Sequence, residues 1–164
     1  MKIIFSLVTL LCIFQVTIAQ DNASLPVYLR FPTVPQFTIY KAADSSAFSR
    51  ENLQKRKPTV LFIFSPDCEH CQKETKELLS KIDKFKRSQV IMVTTQPYED
   101  MVQFYKDYHI ADYSEITMGR DTKFFFPVYF RVQNLPSIFV YNKKGELKKS
   151  FEGSVNIDKV AEAL

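Results

Sequence analysis

Residues 59–95 place two short apolar runs on either side of a longer amphipathic pattern, and this arrangement constrains the fold more than any other feature. The first run, 59–65, is almost continuously apolar and β-prone, as expected of a strand covered on both faces. Apolar residues then recur at helical spacing over 68–86, and 89–95 forms a second apolar run. A strand, a helix and a strand of these lengths predict a right-handed crossover between two parallel strands.

Two cysteines, Cys68 and Cys71, stand in a C-x-x-C motif where the first strand meets the helix. A helix N-terminus exposes unpaired N–H groups and a partial positive charge, which favours a thiolate at Cys68. Cys71, one helical turn further on, would resolve the mixed disulfide that such a thiolate forms. The third cysteine of the chain, Cys12, lies in a segment expected to be removed. We therefore expect a mature protein whose two thiols are both in the motif.

The first 19 residues have the organisation of a secretory signal peptide. Lys2 supplies a positive charge, residues 3–18 are mostly apolar, and Thr17 and Ala19 occupy the two positions that a signal peptidase reads. Cleavage is expected before Gln20, with export to the periplasm or secretion, where disulfides form and persist. A retained membrane anchor is the alternative, although the apolar stretch is short for a span of about 20 residues.

The rest of the chain has the length of one domain. Residues 20–33 are polar and proline-punctuated and predict an extended lead-in, and residues 34–164 predict a single domain with a packed core. The formal net charge of +4 is too small and too scattered to indicate nucleic-acid binding. The longest basic run, residues 55–57, is interpreted as a solvated loop before the strand at 59–65.

Weaker patterns place further elements around this core. Strands are expected at 36–41, 114–118, 137–141 and 146–151, and helices at 46–55, 97–110 and 155–164. Asn142 to Gly145 separate the last two strands and predict a hairpin turn in which the glycine takes a positive φ. Residues 123–132 predict an aromatic-rich helix or irregular segment. Their phenylalanines at 124–126 are expected in the core, with a docking surface for unfolded clients as the alternative.

Three separated segments resemble the secreted thiol–disulfide oxidoreductases of the TlpA/ResA type, in the thioredoxin-like superfamily. They are residues 34–38, residues 57–71 with the Cys-Glu-His-Cys motif, and residues 135–140 with the Leu-Pro pair. The middle segment is highly specific, and the outer two support it by their spacing. The resemblance implies an α/β thioredoxin-like fold, in which helices flank a central mixed β-sheet that carries an N-terminal extension.

The same resemblance implies how the loop at Pro136 works and where this chain departs from its relatives. Pro136 is expected to form a cis peptide facing the motif, which would place the Leu135 backbone where it pairs with an extended substrate segment. Asp67 stands where thioredoxins usually carry tryptophan, and Phe62 replaces a buried acid that assists proton transfer. Proton transfer is therefore expected to use water or Glu69.

The two residues between the cysteines are expected to tune the pKa of the Cys68 thiol. A protonated His70 would stabilise the thiolate, whereas Glu69 and Asp67 would oppose it by electrostatic repulsion. By analogy, a histidine before the second cysteine is typical of oxidases and isomerases, and a glutamate after the first resembles the reductases of this family. The direction of electron flow is therefore left open.

Together these observations predict an exported thiol–disulfide oxidoreductase that exchanges disulfides with cysteines of other exported proteins. The Cys68–Cys71 disulfide is expected to be its redox group, with no cofactor and no metal ion. A membrane or periplasmic thiol protein is expected to donate or accept the electrons.

Other interpretations compete with this one. The cysteine pair could form an inert structural disulfide, although closing so small a loop stabilises little. The pair could bind a metal ion with His70 or His109, but a closed zinc site needs four ligands. The pair could also belong to a copper-handling module, but copper chaperones of this fold use a C-x-x-x-C spacing. A thiol peroxidase would have Ser65 in its hydroxyl position but would need proline in place of Leu61.

Overall fold

The computed structural model describes residues 25–164, so the predicted signal peptide, Cys12 and the first part of the lead-in lie outside the described residues. The strands are β1 (Thr38–Lys41), β2 (Ala47–Ser49), β3 (Thr59–Ile63), β4 (Gln89–Thr94), β5 (Ile116–Arg120), β6 (Ser137–Tyr141) and β7 (Leu147–Glu152). The helices are α1 (Val27–Arg30), α2 (Glu69–Ser80), α3 (Tyr98–Asp107), α4 (Phe125–Phe130) and α5 (Ile157–Glu162). None of the helices described in residues 25–164 is long and apolar enough to cross a membrane.

The seven strands form one mixed sheet in the order β2-β1-β5-β4-β3-β6-β7. The central strands β3, β4 and β5 run parallel to one another, and β6 joins β3 in the antiparallel direction. β7, β1 and β2 extend the two edges by antiparallel pairing. The parallel pair β3 and β4, linked through α2, confirms the crossover predicted for residues 59–95.

Helices cover both faces of the sheet, because successive side chains of a strand point to opposite sides. On one face, Val60, Phe62 and Phe64 pack in a core cluster with buried residues of α2, α3 and α5. On the other face, Leu61 and Ile63 pack with the aromatic side chains of α4, against which Tyr28 of α1 also packs. This three-layer arrangement confirms the predicted α/β thioredoxin-like fold class.

The helix predicted over 46–55 is wrong. Residues 47–49 form β2, in which Phe48 lies opposite Ile39 of β1, and only a 3₁₀ turn at Arg50–Asn52 follows. The rings of Phe48 and Phe37 stack with their centroids 6.4 Å apart. The segment has few large apolar residues, so pairing with β1 and packing of Phe48 outweigh a weak helical preference.

Two further predictions differ in extent. The lead-in expected to be extended over 20–33 includes the one-turn helix α1 in its described part, where Tyr28 packs on Phe130 and Phe139. The helix predicted over 68–86 ends at Ser80 and is followed by a separate 3₁₀ turn at Ile82–Phe85.

The aromatic segment at 123–132 contains the short helix α4. Phe126 is fully buried, as the core interpretation predicts, and Phe125 is half-buried. Phe124 differs, with 58% of its surface exposed. The carboxylate of the buried Asp121 accepts the N–H groups of Lys123 and Phe126, which fixes the start of the helix.

The predicted hairpin turn between β6 and β7 is present. Gly145 adopts a φ of +79°, a conformation that favours glycine. The Asn142 side-chain oxygen accepts the N–H groups of Lys144 at 2.8 Å and Glu146 at 3.0 Å. The turn is therefore held by its own side chain as well as by the strands.

Candidate functional site

The C-x-x-C motif lies where the buried strand β3 leaves the sheet. Phe64 continues the ladder, with its N–H donating to the Val93 carbonyl at 2.9 Å. The chain then turns sharply, and the Cys68 N–H donates to the Ser65 carbonyl at 3.2 Å. Cys68 becomes the N-cap of α2, which places its sulfur at the positive end of the helix.

The two cysteines differ in exposure and lie in contact. Both are free thiols, with Cys68 half-buried and Cys71 fully buried. Their sulfur atoms are 2.6 Å apart, and the Cys71 N–H donates to the Cys68 sulfur at 3.3 Å. The geometry brings an accessible sulfur and a shielded one within reach of each other.

Polar contacts hold the turn that precedes Cys68. The Gln72 side-chain amide donates to the Pro66 carbonyl at 2.8 Å, which ties the turn to the first part of α2. The Ser65 hydroxyl donates to the Asp67 carboxylate, which fixes the acid that stands where thioredoxins carry tryptophan. The Cys68 sulfur is therefore presented by an ordered turn.

The loop before β6 completes the site from the opposite side. The Leu135–Pro136 peptide is cis, as the resemblance implies, and Pro136 is buried. The Cys68 sulfur lies 3.9 Å from the Leu135 carbonyl oxygen. The structure thus brings Leu135 and Pro136 to the cysteines, and their role in substrate binding stays a prediction.

Glu69 and His70 occupy the first turn of α2, with exposed side chains. Within residues 25–164, neither side chain forms a hydrogen bond with Cys68 or Cys71. Any influence on the thiols would therefore act through space. Their role in tuning the Cys68 thiol stays a prediction.

Burial determines the chemistry of Cys71. Removal from water raises the pKa of the Cys71 thiol well above its usual value, and its contact with Cys68 raises the pKa further. The negative charge of Glu74 acts in the same direction. The Cys71 thiol is therefore protonated in this structure, and it must give its proton to an acceptor before its sulfur can attack.

Glu74 is a candidate site residue that the sequence analysis missed. Its side chain is 1% exposed, one of its carboxylate oxygens accepts the Val155 N–H, and the other has no hydrogen-bond partner within residues 25–164. Burial raises the pKa of Glu74, and the bond from Val155 opposes part of that shift. A signal was present, because Glu74 lies three residues after Cys71 and four before Leu78, on the apolar stripe of the helix.

No cluster in the described chain offers a complete metal site. Across residues 25–164, no three His, Cys, Asp or Glu side chains are grouped so as to hold a metal ion. His109 lies after α3, where it precedes a 3₁₀ turn at Ile110–Asp112. The structure does not bring His109 into a ligand group with the cysteines.

A groove of about 730 Å³ runs beside the motif, between α2 and α3. Asp67 and Gln72 line it at the end next to Cys68, and Phe104 and Tyr108 line its α3 side with stacked rings 4.1 Å apart. Asp100 and Asp107 add carboxylates to the same wall. The accessible sulfur thus opens next to a concave surface of mixed polarity.

Comparisons with known proteins agree with the fold. A family model described as a thioredoxin-like domain matches residues 49–164. No curated protein sequence matches the chain.

Three similar solved structures come from bacteria. A secreted Mycobacterium tuberculosis disulfide oxidoreductase homologous to Escherichia coli DsbE is 19% identical, with a TM-score of 0.66, and the match covers 78% of this chain and 93% of that one. StoA from Bacillus subtilis is 22% identical, with a TM-score of 0.59 and coverages of 80% and 98%. Peroxidoxin BcpB from M. tuberculosis is 16% identical, with a TM-score of 0.68 and coverages of 80% and 92%. At these identities the likeness is one of fold.

Proposed function

This chain belongs to the thioredoxin-like domain family, and on that premise we propose that it is a thiol–disulfide oxidoreductase acting through Cys68 and Cys71. One observation carries the proposal: a half-buried sulfur at the N-terminus of α2 lies 2.6 Å from a fully buried one. A purely structural bridge has no need of an accessible sulfur beside a groove. An exchange reaction needs one thiol that substrates can reach and a second that they cannot.

In the reducing direction, the Cys68 thiolate attacks one sulfur of a substrate disulfide. The substrate S–S bond breaks, a Cys68–substrate disulfide forms, and the released substrate thiolate takes up a proton. Cys71 then loses its proton and attacks the Cys68 sulfur, which releases the second substrate thiolate and leaves a Cys68–Cys71 disulfide. Two electrons pass from the protein to the substrate, and the reverse sequence oxidises a dithiol.

The second step requires a group that accepts the Cys71 proton. Phe62 occupies the position of the usual buried acid, and the side chain of Glu69 is exposed. Glu74 is buried, and its charge acts on Cys71. We therefore propose Glu74, which lies one helical turn after Cys71 on α2, as a further candidate acceptor of this proton beside the Glu69 or water route expected from sequence.

The substrates in this proposal are exported proteins with cysteines, and the protein itself works in the periplasm or outside the cell. The signal-peptide pattern of residues 1–19 supports export. The similar M. tuberculosis disulfide oxidoreductase, which is homologous to DsbE, is a secreted protein. A substrate segment would lie across the Leu135 backbone, whose carbonyl oxygen is 3.9 Å from the Cys68 sulfur.

The test uses Cys71→Ser, which removes the resolving thiol and keeps the attacking one. Expressed with its leader in a bacterium that exports it, this variant should accumulate disulfide-linked adducts with exported proteins. The adducts should appear on non-reducing gels and disappear after reduction. Cys68→Ser combined with Cys71→Ser is the matched control and should form none. If Cys71→Ser forms no adducts beyond this control, the proposal fails.

The direction of electron flow can be measured by equilibrating the purified protein with glutathione buffers. A reduction potential of about −120 to −180 mV would place it with oxidases and isomerases. A value of about −230 mV or lower would indicate a reductase that a thiol protein of the membrane or periplasm must recharge.

A further inference from the structure

We propose that a basic pocket at the end of the sheet opposite the cysteines binds a phosphate-class anion carrying at least two negative charges. The residues that line the pocket include six with cationic side chains, namely Arg50, Lys55, Arg56, Lys57, Lys143 and Lys144. Its cavity has a volume of about 350 Å³. The proposal concerns binding alone and does not depend on the redox activity.

The position of the basic pocket separates it from the thiols. Thr59, the first residue of β3, lines the pocket, whereas the motif follows the last residue of the same strand. The five residues of β3 span roughly 13 Å at about 3.3 Å per residue. A ligand in the pocket would therefore leave Cys68 open to its substrates.

The cations of the basic pocket lack compensating partners. Among residues 25–164, none of the six forms a salt bridge with a carboxylate. Glu51 is the single acidic residue that lines the cavity. Six positive charges around one concavity repel one another, and a multivalent anion would relieve that repulsion.

The fold brings these charges together from two loops that are far apart in sequence. The loop at residues 55–57, which the sequence predicts to be solvated, lies against the hairpin turn at residues 143–145. The Val34 N–H donates to the Gly145 carbonyl at 2.9 Å, which anchors the turn to the segment before β1. The juxtaposition is therefore a property of the fold.

Hydrogen bonds hold both loops in place before any ligand arrives. The Gln89 side chain accepts the Gln54 N–H at 2.9 Å and donates to the Gln54 carbonyl at 3.1 Å. It also donates to the Thr59 hydroxyl at 2.9 Å, so one buried amide ties the loop to the sheet. On the other side, Asn142 holds the N–H of Lys144 at 2.8 Å. A site ordered in this way loses little conformational entropy on binding.

The chemistry of the side chains selects the ligand class. Arginine presents paired donors that match phosphate oxygens, and lysine adds compact positive charges. The volume suits a small group such as pyrophosphate or a phospholipid headgroup, at the lower end of the range for ligand pockets. The shared chemistry is a phosphate ester or anhydride, offered either in solution or on a membrane surface.

The test measures the binding of two probes to the purified protein in about 0.15 M salt, where exposed charges more than ~8 Å apart are largely screened. One probe is inorganic pyrophosphate, followed by calorimetry and by the amide NMR signals of Gln54 and Lys144. The other is a set of phosphatidylcholine vesicles with and without phosphatidylglycerol, followed by co-sedimentation. The test variant is Lys55→Gln with Lys144→Gln, one change in each loop. The control is Lys148→Gln with Lys159→Gln, an equal charge change at exposed lysines outside the pocket.

We expect at least one probe to bind, with a loss of affinity of at least about tenfold in the test variant and little change in the control. Pyrophosphate binding with shifts of the two amide signals would identify a soluble anion as the ligand. Binding only to vesicles with phosphatidylglycerol would identify a lipid headgroup. Failure of both probes to bind, or an equal loss of affinity in the control variant, would overturn the proposal.

Discussion

The polar side chains near the two ends of β3 differ in how far they are removed from water. At the carboxyl end, the Cys71 thiol and the Glu74 carboxyl are buried among apolar residues, and burial raises the pKa of both groups. At the amino end, the cations of the basic pocket are exposed, apart from the half-buried Lys57. Desolvation disfavours charge at the first end, whereas water and salt at the second end screen part of the repulsion among its like charges. One strand can thus support both chemistries because its own five side chains are buried.

The largest expected effect is on disulfide reduction, which should require the cysteines at one end of β3 and should not require the basic pocket at the other. Cys68→Ser should abolish reduction of a model disulfide such as oxidised glutathione, because no accessible sulfur remains. Lys55→Gln with Lys144→Gln should leave the rate within about twofold of wild type, since charges beyond a Debye length are largely screened. Stopped-flow or coupled assays of glutathione release measure both. A large loss of rate in the lysine variant would show that the ends are coupled.

A second prediction concerns the difference between the two thiols at the buried end. Iodoacetamide should alkylate Cys68 at least about tenfold faster than Cys71 at pH 8, because the thiolate is the reactive form and Cys71 is shielded with a raised pKa. Each thiol is followed alone by mass spectrometry, in Cys71→Ser and in Cys68→Ser. In urea the two rates should converge, and equal rates in the folded proteins would contradict the assigned roles.

A third prediction concerns the ionisation of the Glu74 carboxyl while it is buried in the folded protein. Burial raises the pKa of Glu74 above its ordinary value of 4.5. The folded protein is more stable when the Glu74 carboxyl is protonated. This stabilisation is fully present below the pKa that Glu74 has in the unfolded chain, and it is lost as the pH rises through the pKa of Glu74 in the folded protein. Glu74→Gln should therefore unfold at a higher urea concentration than wild type at pH 8, with the difference shrinking toward pH 4.

The matched control is Glu69→Gln, which changes an exposed glutamate on the same helix. Its unfolding midpoint should follow the wild-type pH dependence. If Glu74→Gln shows the same pH dependence as wild type, the Glu74 carboxyl does not titrate in a desolvated environment.

The smallest expected effect lies at the hydrated end. Asn142→Ala should cost about 1 kcal/mol of unfolding free energy, because the N–H groups of Lys144 and Glu146 lose their acceptor. Lys143→Ala, in the same turn, should change stability by less than about 0.5 kcal/mol. Urea denaturation measures both, and disulfide exchange should be unaffected in either variant. Equal costs in the two variants would mean that the Asn142 bonds do not stabilise the turn.

The parts of the fold that could be predicted are those whose signal is local and strong. The run 59–65, the helical repeat after Cys68 and the run 89–95 each carry a clear period, and the structure confirms the crossover that they form. The segment 46–55 lacked such a signal. It became a strand because β1 lies beside it, which is a contact that only the folded chain supplies.

The candidate site divides in the same way. The cysteines can be predicted from their spacing, and Pro136 from the resemblance of residues 135–140 to the TlpA/ResA-type proteins. Glu74 has the sequence pattern of an ordinary polar helix residue, and only its position on the apolar stripe of the helix indicates that it is buried. The basic pocket could not be predicted from either of its loops. Residues 55–57 and 143–144 meet only because β3 and the β6–β7 hairpin place their loops at the same end of the sheet.

The bond from the Val155 N–H to the Glu74 carboxylate has a consequence for spectroscopy. An amide proton that donates to a carboxyl group is deshielded when that group ionises, because a charged acceptor makes the stronger hydrogen bond. The NMR signal of Val155, just ahead of α5, therefore records the ionisation of Glu74. A pH series on this one signal would follow the buried acid through each redox state of the protein, with no label and no change to either cysteine.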